Sequence, residues 1–284
     1  MVTPLAAQQV EDDGESQPTR QLPDNADPVV DYKTATDRPG RLRGTSHLTI
    51  ETRQAQRLVY GRAQSDDKQG IIGLVKFAMI MGRIWRAAEL DDPYADSYLL
   101  QIHEALTTAQ AEIKQATEQI QERLKSVSGV DITVAHSLEP VQVPLHFPNA
   151  YGYMGGYLIA DFDTLVRSVL TAVHVALMTR DEGKHLLHNT GRMIRRSFLL
   201  PTRWKYCIVT RDDIRQSTQR GAMALEAMGE LPQEILDETR RAPHAPTIRK
   251  PGSRSTSSAT VDLLDDSDDD EEEDEKSEDE PDVD

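Results

Sequence analysis

Ten basic residues fall between positions 180 and 220, against only four acids, and their spacing points to anion binding. Arg192, Arg195 and Arg196 are three and four residues apart, which places them on one side of a helix. Arg211 and Arg215 are four apart on what reads as the next helix. Between these helices Arg203 and Lys205 alternate with Trp204 and Tyr206, a segment that offers both charge and aromatic contact area. Arg192, Arg195, Arg196, Arg203, Lys205, Arg211 and Arg215 are therefore the candidate phosphate contacts. The competing reading is a solvated face, because surface helices commonly carry Lys and Arg.

A second candidate lies at the start of the ordered chain. Leu48 and Ile50 alternate with His47, Thr49 and Glu51, the period of a half-exposed strand, and two helical stretches follow at about 53–62 and 71–88. Strand, helix, helix is the order of the ribbon-helix-helix fold, in which two chains pair their strands into a ribbon that enters the major groove. The outward set, Arg43, Thr45, His47, Thr49 and Glu51, would then contact bases. A lone two-stranded ribbon is marginal, so residues 71–85 would supply the core of a homodimer. An ordinary β-segment on a helical domain is the alternative.

Other chemistries find little support. There is no phosphate-cradling glycine loop, and Gly152, Gly155 and Gly156 do not form a dinucleotide pattern. His185 and His188 lack the partners of a zinc site, and His174 sits in an apolar stretch that reads as core. Asp161 and Asp163 are two apart, so a helix would point them to different sides, where capping fits better than acid–base work. Asp91, Asp92 and Asp96 could gather at one helix start, where the macrodipole favours anions. No metal, cofactor or catalytic group is expected, and neither a relaxase nor a recombinase motif is present.

The elements that must position these residues are mainly helical. Asp92 followed by Pro93 is an N-cap and first-turn signature. From Tyr94 to Val127 there is no Gly or Pro, and Ile102, Leu106, Ala109, Ile113, Ala116 and Ile120 repeat as a heptad seam. That helix either packs on a later helix of the same chain or dimerises. Prolines at 140, 144 and 148 allow only short β-structure around 130–147. Further helices are expected at about 158–179, 182–198, 211–228 and 232–241, with Thr210 and Asp213 at capping-box spacing. The predicted fold is a multi-helix domain over 41–242, with 41–90 as a possible ribbon-helix-helix unit.

Residues 1–40 and 243–284 read as disordered, because neither can bury enough apolar surface to offset the entropy of ordering. Sixteen of the last 24 residues are acidic and only Lys276 is basic, so the formal net charge of -16 describes an appendage. Residues 41–260 hold 28 bases against 24 acids. A basic body tethered to a polyanion suits a nucleic-acid binder whose tail can compete for the same surface; the alternative role for the tail is solubility. A single cysteine, Cys207, excludes a disulfide framework and fits a cytoplasmic protein. The apolar stretches at 71–90, with Lys76, Arg83 and Arg86, and at 157–178, with Asp161, Asp163 and Arg167, carry too many charges for a membrane span.

Eight short motifs carry a resemblance in one order: Thr52-Arg53-x-Ala55, Tyr60-Gly61-Arg62, Ile72-Gly73-Leu74, Asp91-Asp92-Pro93-Tyr94-Ala95-Asp96, Tyr151-Gly152-Tyr153, Asp161-Phe162-Asp163, Thr210-Arg211-Asp212-Asp213-Ile214 and Met228-Gly229-Glu230-Leu231-Pro232. Together they resemble a protein family encoded by bacterial integrating conjugative elements and similar to the AcaB-like transcriptional regulators. The resemblance implies a cytoplasmic, double-stranded-DNA-binding regulator of conjugative transfer, with other element-encoded proteins as further partners. A structural or adaptor role in the transfer machinery is the alternative.

Overall fold

The structure, a computed structural model, describes residues 44–65 and 70–249. The chain divides between Gly44 and Thr45, and the helices and sheet belong to the unit that starts at Thr45. The acidic leader (1–40), Arg43 and the acidic tail (261–284) lie outside the described residues. Among the described residues eight α-helices and one two-stranded sheet follow in the order β1 (Ser46–Ile50), α1 (Arg53–Tyr60), α2 (Leu74–Glu89), α3 (Pro93–Lys125), β2 (Val141–Leu145), α4 (Ala150–His174), α5 (Arg180–Leu199), α6 (Arg211–Arg215), α7 (Gln219–Met228) and α8 (Gln233–Leu236). A 3-10 turn, Leu200–Arg203, follows α5.

The long helix is α3. Asp92 caps it, its carboxylate accepting from the Tyr94 and Ala95 N–H groups, and Pro93 takes the first turn. With 33 residues it runs about 50 Å. Its seam residues Ile102, Leu106, Ala109, Ile113 and Ile120 are all buried, and Leu124 extends the stripe. They pack inside the chain: α4 lies along α3, with α2 and α5 beside it. Each fully buried Leu or Ile of this seam contributes roughly 1.5–3 kcal/mol. Phe77 of α2 stacks on Phe198 of α5 at 4.6 Å between centroids and ties the two flanks together.

Helix α4 starts eight residues earlier than expected. Asn149 caps it, and the glycine-rich run from Tyr151 to Tyr157 forms its first two turns. Here the glycines are packing residues: a Cβ at Gly152 would lie 2.4 Å from the Phe147 ring, and one at Gly155 would lie 2.8 Å from Leu74. Their absent side chains let α4 approach α2 and the end of β2.

Two further boundaries differ. The single helix expected at 211–228 breaks into α6 and α7 at Ser217, which has φ 49, and the one expected at 232–241 is a single turn. The expected capping box is present, with Thr210 and Asp213 each satisfying the other's backbone N–H. Beyond position 242 the chain stays packed: Ala242 and Pro246 are buried, and Trp85 Nε1 donates to the His244 carbonyl. His174, expected in the core, is exposed in the last turn of α4. No helix among the described residues is long and apolar enough to cross a membrane.

Candidate nucleic-acid interface

The strand read from the alternation of Leu48 and Ile50 is β1, and both residues are buried. Its partner corrects the expectation of a ribbon shared between two chains. β1 pairs antiparallel with β2 of the same chain, with His47 opposite Pro144 and Thr49 opposite Gln142. Residues 141–145 can do this because Val143 and Leu145 alternate inward, while Pro144 is tolerated on an edge strand. Residues that face one another across a ladder share a face, so the outer surface carries His47, Thr49, Gln142 and Pro144, with Thr45 just before the strand. All are exposed. Within the described residues, the side chains of Thr45, His47, Thr49 and Gln142 make no hydrogen bond.

Glu51 does not join that face. It is half-buried where the strand gives way to α1, and its carboxylate accepts from the Ser137 N–H at 2.8 Å and pairs with Arg167 at 3.1 Å and His136 at 3.2 Å. The Ser137 hydrogen bond holds its pKa below the usual glutamate value, assisted by His136 and Arg167. Asp163 of α4 completes the junction, accepting from the Glu51 and Thr52 N–H groups and from the Thr52 hydroxyl at 2.6 Å. Asp161 points elsewhere, to Gln110 and Lys114 of α3. The two aspartates thus diverge as their spacing requires, and both are structural.

On α5, Arg192 and Arg196 are exposed and Arg195 is half-buried, its guanidinium lying over Gly191. Burial, and then the neighbouring Arg192 guanidinium, push Arg195 below the ordinary arginine range. Arg192 and Arg195 are crowded together with no carboxylate partner among the described residues, an arrangement that favours a bound anion. Arg203 and Lys205 are exposed on the following segment. Tyr206 is exposed as well, whereas Trp204 is half-buried and packs into the core, so the aromatic surface there is smaller than its sequence implied. Arg215 is committed in part, donating to the Leu236 carbonyl at 2.6 Å and pairing with Asp212 at 3.4 Å.

Arg211 does not belong to this surface, which corrects its place among the phosphate contacts. It is fully buried, with Nη1 on Asp91, Nη2 on Asp96 and Nε donating to the Ile235 carbonyl. Arg241 adds a bidentate pair to Asp96 at 2.8 and 2.9 Å. The acids expected at the start of α3 therefore do gather there, and they fasten α6 and the segment after α8 to it. A capping-box arginine next to two acids reads from sequence as surface charge, because partners more than a hundred positions away leave no local trace.

Further residues of this surface lie outside the expected set. Gln142 escaped because its strand looked too broken by prolines to matter. Arg53 and Arg57 on α1, and Lys76, Arg83 and Arg86 on α2, are exposed and have no ion-pair partner among the described residues. Their spacing of three, four or seven residues was the available signal.

A crystal structure of selenomethionine-containing AcaB from uropathogenic E. coli is similar with a TM-score of 0.47 and 17% identity, over 70% of this chain and 97% of that one. No curated protein matches the chain. The family model described as transcriptional regulator AcaB matches residues 38–249, a span holding every described element and all eight sequence motifs. Because that match covers well over half of the 284 residues, the chain belongs to the AcaB family of transcriptional regulators.

Proposed function

We propose that this protein is a DNA-binding regulator of genes for conjugative transfer on an integrating conjugative element. It acts without catalysis or cofactor, in the cytoplasm, as a homodimer on double-stranded DNA. The observation that carries this reading is the outer face of the β1–β2 ribbon. Thr45, His47, Thr49 and Gln142 hold free donors and acceptors there, on an element of the width the major groove admits, about 12 Å. Arg43, which lies outside the described residues, remains a further base contact of this proposal. Arg192, Arg195, Arg196, Arg203 and Lys205, with Arg215 in part, supply the sequence-independent phosphate attraction. The adaptor alternative, an assembly held together by α3 with the basic face as its docking surface, has less support, because the α3 seam is covered by α4 within the chain.

The test is in-cell DNA occupancy of the tagged full chain beside a His47→Ala/Thr49→Ala variant. Discrete promoter peaks that disappear in the variant are expected. Occupancy without preference for promoters, or peaks indifferent to the two substitutions, would defeat the reading.

A further inference from the structure

The outer side of α2 is basic and apolar at once. Lys76, Met79, Arg83, Arg86 and Leu90 recur at intervals of three and four residues along one exposed stripe, with Val75 beside it. Met79 is 62% exposed and Leu90 56%. Within the described residues Lys76, Arg83 and Arg86 have no carboxylate partner, and like charges at this spacing repel. The one acid of the helix, Glu89, is taken by Arg249: the Arg249 N–H donates to the Glu89 carbonyl at 2.8 Å, and its guanidinium meets the carboxylate at 2.8 Å.

That contact also fixes where the rest of the chain departs. Residues 250–284 begin at the C-terminal end of this stripe. Positions 250–260 contain Pro, Gly, Ser and Thr, and Val261-Asp262-Leu263-Leu264-Asp265-Asp266 opens the acidic run. This segment mixes apolar and acidic residues just as α2 mixes apolar and basic ones. Eleven linking residues span up to about 36–40 Å, and the sixteen residues of α2 extend only about 24 Å, so every point of the stripe is within reach. We infer that residues 261–270 dock on the outer stripe of α2. Val261, Leu263 and Leu264 then lie against Met79 and Leu90, and the aspartates against Lys76, Arg83 and Arg86. Tethering raises the local concentration of this ligand to about the millimolar range, so a weak contact suffices. Its consequence, competition between the tail and nucleic-acid phosphates for those three cations, rests on the proposed function; the contact itself does not.

The experiment contains no DNA, so its outcome is independent of that reading. In the full chain carrying Cys207→Ser and Ser267→Cys, a nitroxide on the new cysteine broadens amide signals of residues near it. At about 50 mM salt, loss of signal confined to the exposed side of α2 is expected, with recovery at about 500 mM salt, where the Debye length is only a few ångströms. A Lys76→Ala/Arg83→Ala/Arg86→Ala chain should likewise show no loss on α2; the salt arm stands by itself if that variant folds poorly. Loss centred on Arg192 and Arg195 of α5, loss spread evenly, loss insensitive to salt, or no loss at all overturns the inference.

Discussion

Arg211 and Asp96 lie 115 positions apart and meet as a fully buried ion pair, with Asp91 and Arg241 completing the cluster. Removing one partner of such a pair strands the other charge in the interior, at a cost of about 3–5 kcal/mol. Arg211→Ala should therefore lower the stability measured by urea unfolding by that amount, whereas Arg192→Ala on the exposed side of α5 should change it by less than about 0.5 kcal/mol. Equal effects of the two substitutions would show that the buried cluster does not hold α6 in place.

Asp92 caps α3 from a buried position, and burial raises its pKa to about 7, with the Asp96 charge adding to the rise. Between its unfolded value near 3.8 and about 7 the folded chain binds the extra proton, so stability falls as pH rises through that window and levels off above it. Asp92→Asn keeps a capping oxygen and removes the titration. Its advantage over the parent chain should grow from pH 5 to pH 8 in urea unfolding; a gap that stays constant with pH would contradict this.

Two helical glycines should respond to alanine with opposite signs. At Gly152 a methyl group would overlap Cβ and Cγ of Phe147, not merely a mobile side-chain tip, and about 1–3 kcal/mol of destabilisation is expected. At Gly82 the nearest atom to a new Cβ is Pro148 Cγ at 3.7 Å, an ordinary contact, so the gain in helix propensity should stabilise by about 0.5–1 kcal/mol. Thermal unfolding of both variants reads the signs directly.

Base-facing and phosphate-facing residues should separate in binding assays. Thr49→Ala or Gln142→Ala should cost about 1–3 kcal/mol on the preferred site and little on random duplex. Arg195→Ala should weaken both alike and reduce the slope of log affinity against log salt by about 1. Competition binding across several salt concentrations checks the pair, and a Thr49→Ala variant that keeps full sequence preference would remove the ribbon from base reading.

Features written into neighbouring residues were legible without the fold. Asp92 and Pro93 announce the start of α3, Thr210 and Asp213 announce α6, and the apolar heptads of α3 recur within a few turns, because caps and helical faces are set by residues one to four positions apart. The alternation of Leu48 and Ile50 likewise gave β1 its buried side. Which strand would cover its edge was not legible. The answer, Val141–Leu145, lies beyond α3, and the competing partner was a second chain with the same sequence. Glu51 and Arg211 looked like surface charges for a related reason. Their fate depends on Arg167, Asp91 and Asp96, which only the packing of α3, α4 and α6 brings within hydrogen-bonding distance. Sequence thus determined that the fold is helical, the caps of α3 and α6 and the apolar face of α3, all short-range properties of the chain. Tertiary structure alone decided which charges remain facing solvent, since burial and ion pairing depend on atoms that no local spacing brings together.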